Sequence, residues 1–295
     1  MTRVPPLPPP IRSQTPTKRP ARPTTAARPT RQPRQPRFRW LGVLTVLLAA
    51  GPVGPLPASS LRDAAGALPA KLTLTWFGQS CFLIETVAGT RIVTDPIPKG
   101  IGYELPVGLR ADAVTVSHEH PDHNNVGLVT GRPRLFRGLT ADKKGWAKID
   151  DKVKDVTIRS VGVYHDDKRG AERGLNAVFI FESGGLRIAH LGDLGHTLDD
   201  DQLSAIGSVD VVLIPVGGHF TIDARQATRV IDQLHPRLVI VPMHYRTAAS
   251  TISQLATVDE FLVGKSNVRH HEGNTLPLTA IKSRPGAEIV VMGFR

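Results

Sequence analysis

His118, His120, Asp122 and His123 fall within six consecutive positions, His118-Glu119-His120-Pro121-Asp122-His123, followed by Asn124. Three imidazoles and a carboxylate packed this closely are a metal-ligating donor set, because neutral imidazole suits zinc and iron and a carboxylate offsets cationic charge. The residues just before, Ala113-Val114-Thr115-Val116-Ser117, are β-branched and apolar and predict a buried strand that delivers the cluster to the end of a sheet. In extended chain, positions two apart project to the same side, so His118 and His120 can share one ion. Pro121 fixes its own backbone and biases the residue before it toward extended geometry, which lets Asp122 and His123 turn toward a second ion.

Other strand ends carry the same signature. Lys71–Trp76, Phe82–Thr86 and Arg91–Asp95 read as strands joined by short turns, and the Gly- and Pro-rich segment 96–109 reads as a loop near the site. A short helix is expected after the His cluster, then a polar stretch over 142–154 and a strand over Val156–Tyr164 that ends in His165. Asn176–Glu182 and Leu186–Leu191, separated by Ser183-Gly184-Gly185, form the clearest hairpin and lead into Gly192-Asp193. Val209–Pro215 and Arg237–Pro242 read as strands, the second running into Met243-His244-Tyr245. Ala224–Leu234 and 258–263 have helical spacing, and Ala287–Met292 is a last strand. Strands and helices are mixed throughout, giving an α/β or α+β class with at least two sheet segments. Strand ends at 117, 164, 192 and 242 are each followed within three residues by His or Asp, which points to one site assembled at one sheet edge.

The net charge of +11 belongs to the N-terminus: residues 1–39 hold ten Lys or Arg and no acid, leaving the remainder at +1. A near-neutral body argues against nucleic acid as a partner. Residues 1–39 are too poor in large apolar side chains to offset chain entropy and read as a disordered basic, Pro-rich tail. The apolar run Trp40–Ala50 is shorter than the roughly 20 residues of a spanning helix. With its basic flank and the small residues Ala58, Ser59 and Ser60, segment 40–58 reads as a signal peptide, with an uncleaved anchor, a transit peptide or a buried helix as rivals. Export, with membrane contact only through this segment, is the expectation; 59–70 is a linker and 71–295 the folded domain. Cys81, the only cysteine, excludes an intrachain disulfide and reads as a small core residue.

His118-x-His120-x-Asp122-His123, the later His165, Gly192-Asp193 and Pro242-Met243-His244-Tyr245 together resemble the metallo-β-lactamase superfamily. Trp76-Phe77-Gly78-Gln79-Ser80, Thr94-Asp95-Pro96 and Gly217-Gly218-His219-Phe220-Thr221 look like its branch containing the ascorbate-6-phosphate lactonase and many metal-dependent hydrolases. The resemblance covers roughly residues 71–295. It implies a four-layer αββα sandwich with two divalent metal ions, zinc first, with manganese or iron as alternatives. It implies that His118, His120 and His165 hold the first ion, that Asp122, His123 and His244 hold the second, and that Asp193 bridges them. Hydrolysis of a small-molecule ester, lactone or phosphodiester by a metal-bound hydroxide is the implied activity. The alternative is a metal-binding or redox protein on the same fold without turnover. A true β-lactamase is not implied, since Cys81 is not at a ligand position. The sequence is silent on substrate identity and oligomeric state.

The third ligand has a rival in His190, three residues before Asp193; an odd separation on the hairpin turns the two to opposite sides and favours His165. Asp122, His219 and Tyr245 are the candidate catalytic groups, the last two as substrate contacts or proton donors to the leaving group. Asp95 is read as an acceptor for a ligand imidazole or as a turn residue before Pro96. His196, His235, His270 and His271 read as surface residues, the last two in a charged turn, and Glu119 as solvated. Asp199, Asp200 and Asp201 read as the cap of a short helix.

Overall fold

Leu72, Leu74 and Trp76 are buried and Thr73 and Thr75 half-buried, the period of two that gives Leu72–Trp76 (β1) one core-facing side. Phe82–Thr86 (β2), Arg91–Thr94 (β3) and Ala113–Val116 (β4) follow in the same sheet, then Arg134–Arg137 (β5). The second sheet contains Asp150–Val153 (β6), Val156–Tyr164 (β7), Leu175–Ser183 (β8), Leu186–His190 (β9), Val211–Pro215 (β10), Val239–Met243 (β11), Val268–His271 (β12) and Glu288–Met292 (β14). Thr275–Leu278 (β13) crosses back to pair with β1, so the orders are β13-β1-β2-β3-β4-β5 and β12-β14-β11-β10-β9-β8-β7-β6. The computed structural model describes residues 72–279 and 286–294; the tail over 1–39, the segment 40–58 and the linker 59–70 lie outside the described residues.

Phe82, Ile84 and Ile92 of the first sheet share one apolar core with Ile158, Ile180 and Leu213 of the second. Over the second sheet lie the helices Asp200–Ile206 (α1), Ala224–Leu234 (α2) and Val258–Leu262 (α3), with Ala227, Val230 and Leu234 of α2 buried in that core. Asp199 caps α1 through a reciprocal bond with Gln202, and Asp200 and Asp201 sit in its first turn. Asp223 and Gln226 do the same for α2. On the far side of the first sheet, Leu83, Val93 and Val114 join Ile97, Tyr103, Leu109 and Val129 in a second cluster. The α+β sandwich is therefore as expected; between the His cluster and β5 the only helix among the described residues is the 3-10 turn Val126–Leu128.

β5, β6, β12 and β13 were not foreseen, and they are the four outermost strands of the two sheets. Edge strands carry polar side chains and proline that suppress the alternation by which inner strands are recognised. His270 and His271 accordingly lie on β12, not in a turn.

β7 and β9 are both antiparallel to β8, and β9, β10 and β11 are parallel, so β7, β9, β10 and β11 all end at the same edge of their sheet. In the first sheet β3, β4 and β5 are parallel. The Ala177 N–H donates to the Ser117 carbonyl at 3.1 Å and ties the end of β4 to that edge.

Candidate metal centre

Each side chain of the centre follows the end of a strand: His118, His120, Asp122 and His123 after β4, His165 after β7, Asp193 after β9 and His244 after β11. Short connections from parallel strands converge at such an edge, where the backbone must leave the ladder anyway. Gly192 (φ 53°) lets Asp193 reach it: a Cβ there would stand 2.4 Å from Asn176 Oδ1 and 2.7 Å from Ser117 Cβ. Asn176 Oδ1 in turn accepts from the Asp193 N–H. Gln79, Asp95 and His244 all adopt left-handed φ (47°, 41° and 50°), a conformation costly for residues with a Cβ and concentrated at functional sites.

Asp193 Oδ2 is the hub. It lies 3.2 Å from His123 Nε2, 3.3 Å from His244 Nε2, 3.4 Å from His165 Nε2 and 3.9 Å from His118 Nε2. Asp122 Oδ2 is 3.4 Å from His123 Nε2 and 4.0 Å from His244 Nε2. The rings of His118, His120 and His165 stand 4.6–4.9 Å apart between centroids. Potential ligand atoms come within 4.8 Å of one another in three overlapping groups: His118, His120 and His165; His118, His123 and Asp193; Asp122, His123 and His244. His118, His123, His165, Asp193 and His244 are buried, whereas His120 is half-buried and 29 % of the Asp122 side chain is exposed, so the centre opens over those two.

The far sides of the rings are braced. Asp95, fully buried, accepts from Ser117 N–H (2.7 Å) and Ser117 Oγ (2.6 Å), and its Oδ2 is 2.9 Å from His123 Nδ1. Ser117 Oγ is 3.0 Å from His118 Nδ1. Asp95 is thus the acceptor for the His123 imidazole, and its turn position is what aims it.

Burial holds the His118 imidazole well below its ordinary range, aided by the His123 charge, and holds His165 at about 4. Burial also lowers His120, with a minor contribution from the Lys143 ammonium. For His123 and His244 burial opposes protonation, but the Asp193 and Asp122 carboxylates outweigh it and raise both. The same pairings override burial to lower Asp193 strongly and to bring Asp122 to about 2. The Asp193 and Asp122 carboxylates thus favour positive charge on the side of the cluster where cations would go. The Nε2 atoms of His118, His123 and His244 are buried without a hydrogen-bond partner. Buried polar atoms are rarely left so, and nitrogens aimed at one carboxylate oxygen fit divalent metal as their missing partner.

His190 is not part of the cluster. Its Nε2 is 2.8 Å from the Ser80 carbonyl and its Nδ1 accepts from the Gly192 N–H, so both nitrogens are committed, and His165 takes the place beside His118 and His120. Tyr245 is a core residue, its ring 5.4 Å from that of Trp76 and its hydroxyl pK raised by burial. His219 is solvent-facing on its turn, edge-on to Phe220, while its carbonyl accepts from Arg173. Glu119 is not merely solvated: Arg137 Nη1 lies 2.6 Å from both its oxygens. Cys81 is a buried core residue.

Sequence reasoning missed two neighbours of the centre. Ser80 Oγ donates to Asp193 Oδ1 at 3.4 Å. Gln79 is fully buried with both amide atoms unpartnered, and its carbonyl accepts from Trp76 Nε1 and the His244 N–H. Only the Trp76–Ser80 motif hinted at them.

Residues 73–244 match the family model described as the beta-lactamase superfamily domain. The chain is 32% identical over 233 residues to a UPF0173 metal-dependent hydrolase of Anaeromyxobacter sp. (strain K), covering 68% of this chain and 84% of that protein. A Thermotoga maritima protein assigned to the Zn-dependent hydrolases of the metallo-β-lactamase superfamily superposes with a TM-score of 0.58 at 36% identity, covering 75% of this chain and 98% of that one. The isothiocyanate hydrolase from Delia radicum gut bacteria shares the fold, with a TM-score of 0.51 at 17% identity over 65% of this chain and 90% of that one.

Proposed function

We propose that this chain, which belongs to the beta-lactamase superfamily and is a metal-dependent hydrolase of it, cleaves a small ester, lactone or phosphodiester at a two-metal centre. His118, His120 and His165 would hold one ion and Asp122, His123 and His244 the other, with Asp193 within reach of both sets. The observation that carries this reading is the convergence of four imidazole Nε2 atoms within 3.2–3.9 Å of Asp193 Oδ2, three of them buried without a partner.

When bound there, zinc, or manganese or iron in its place, would supply Lewis acidity and, for zinc, lower the pKa of bound water to about 7. The chain's own residues do the rest. Asp95 holds His123 with its Nδ1–H outward and Nε2 inward, and Ser117 steadies His118. Ser80 fixes the second oxygen of Asp193. The buried members exclude water from one side, so substrate approaches over His120 and Asp122. Asp122, on the open side, would hold the second ion through Oδ2, the oxygen beside His123 and His244, while its Oδ1 would accept the proton of the attacking water and pass it to the leaving group.

Metal content of the purified protein, measured together with turnover of a bis-aryl phosphodiester, a lactone and a thioester, tests this. Two ions per chain and hydrolysis lost in both His118→Ala and Asp193→Ala are expected. A protein that holds two ions yet cleaves none of the panel is a metal-binding protein without turnover, and one that stays metal-free overturns the reading.

A further inference from the structure

Among the described residues, His190 is the buried imidazole left outside the three ligand groups. It follows Leu186 and Ile188 on the core-facing side of β9, between the two sheets, with its ring edge-on to Phe82 of the first sheet at 6.1 Å. A polar ring is costly in such a place unless its nitrogens are satisfied. The Gly192 N–H can only donate, so His190 Nδ1, 3.2 Å from it, carries a lone pair. The Ser80 carbonyl can only accept, so Nε2, 2.8 Å from it, carries the proton. Two backbone groups therefore fix the ring in one neutral tautomer.

Both of those groups bear on Asp193. Gly192 precedes it in the chain, and Ser80 meets it through space, its Oγ donating to Asp193 Oδ1 at 3.4 Å. The Ser80 carbonyl also accepts from Thr94 Oγ1 at 3.1 Å, so the Ser80 peptide is held by β3 from one sheet and by β9 from the other. Its turn is closed on itself by the Phe77 N–H donating to the Cys81 carbonyl and the Cys81 N–H donating to the Gly78 carbonyl. One ring thus sets the spacing between the Trp76–Ser80 turn and the Gly192-Asp193 corner. With Oδ1 engaged by Ser80, Oδ2 is the oxygen left facing the Nε2 atoms of His118, His123, His165 and His244.

We infer that His190 is a positioning residue of the metal centre: it clamps Ser80 to Gly192 so that Asp193 presents Oδ2 to both ligand sets. This rests on the two-metal reading above. Contacts of this kind, one step behind the ligands, tune metal affinity without touching the ion. Because Asp193 is within reach of both sets, loosening it weakens both ions together.

The test measures zinc affinity of the full chain by chelator competition for the native protein, His190→Asn, His190→Gln, Ser80→Ala and the double variant His190→Asn/Ser80→Ala. Asparagine keeps an acceptor for the Gly192 N–H but is too short to reach Ser80, whereas glutamine can still donate to the Ser80 carbonyl. His190→Asn should weaken both ions about tenfold, and His190→Gln should recover most of that loss. In the Ser80→Ala background His190→Asn should add less than about twofold, because the link to Asp193 is already cut. Native affinity in His190→Asn, equal losses in the two single His190 variants, or a loss that adds in full to that of Ser80→Ala overturns the inference. If His190→Asn does not fold, Ser80→Ala decides: about a tenfold loss of both ions is expected and native affinity overturns the clamp. Histidine nitrogen NMR of the native chain should show the His190 proton on Nε2, and a proton on Nδ1 overturns it as well. If the native chain takes up no zinc, the two-metal reading falls and NMR at one fixed pH decides the clamp. The His123 and His244 nitrogen shifts should then move in His190→Asn and in Ser80→Ala and return in His190→Gln; unchanged shifts overturn it.

Discussion

Asp95→Asn changes one atom of the centre's support and should disable a ligand it does not replace. Asp95 Oδ1 accepts from the Ser117 backbone N–H at 2.7 Å, a donor that cannot turn away. The carboxamide must keep its oxygen there, which places its NH2 where Oδ2 now faces Ser117 Oγ at 2.6 Å and His123 Nδ1 at 2.9 Å. Ser117 can answer by accepting. His123 can answer only by presenting a bare Nδ1, which moves the ring proton to Nε2, the atom 3.2 Å from Asp193 Oδ2. A protonated Nε2 has no lone pair for a cation. Loss of such a supporting contact weakens metal binding by about ten- to a hundredfold, or about 1.4–2.8 kcal/mol. Exchanging charge-assisted for neutral hydrogen bonds in a fully buried position costs a further 1–3 kcal/mol or so of folding stability. Chelator competition for zinc, resolved into two steps, should show one ion lost preferentially, with thermal denaturation reporting the second cost. Histidine nitrogen NMR of the metal-free variant, at a pH where His123 is neutral, should place its one ring proton on Nε2. Native affinity for both ions in Asp95→Asn, or a His123 still protonated at Nδ1, would refute the reasoning.

Three further outcomes follow from the same geometry. Because the carboxylates raise His123 and His244, the stability these two give the metal-free protein is fully present below their unfolded pK near 6.5 and fades as pH rises through their folded values. Chelated protein should therefore lose thermal stability above neutral pH, while zinc affinity, which must displace those protons, rises over the same window. Asp166 accepts the N–H groups of Lys168, Gly170, Glu172 and Arg173, which outweigh burial and hold its carboxyl at about 2. Asp166→Asn turns an NH2 toward two of those donors and should cost about 2–4 kcal/mol by urea unfolding. The native contribution is present above about pH 4 and lost as pH falls toward 2, so the difference between native and variant should shrink in acid. Gly192→Ala must fit a Cβ 2.4 Å from Asn176 Oδ1 at positive φ, and should lose about 2 kcal/mol or more together with metal binding; an unchanged melting temperature would show that the close approach is not needed.

The interior strands were legible in sequence because both sheets bury them. Val211–Pro215 and Val239–Met243 are apolar throughout and Leu72–Trp76 alternates, so hydrophobic pattern alone marks them. Arg134–Arg137 and Asp150–Val153 lie at sheet edges, where solvent permits Arg, Asp and Lys, and only pairing with a neighbour makes them strands. The His118–His123 segment was legible for a local reason: a strand followed by a proline-stiffened turn can present several donors over a few residues. His165, Asp193 and His244 were legible as strand-end residues, since parallel strands bring their ends together. Sequence could not determine where individual ring nitrogens go. His190 is as buried as His118, yet the Ser80 carbonyl and the Gly192 N–H consume its two nitrogens, and those partners come from different elements. Arg137 reaching Glu119 is decided the same way. Donor type and strand order are properties of the chain, but the pairing of each buried polar atom depends on a few ångströms of packing between distant segments, and only the folded structure sets that.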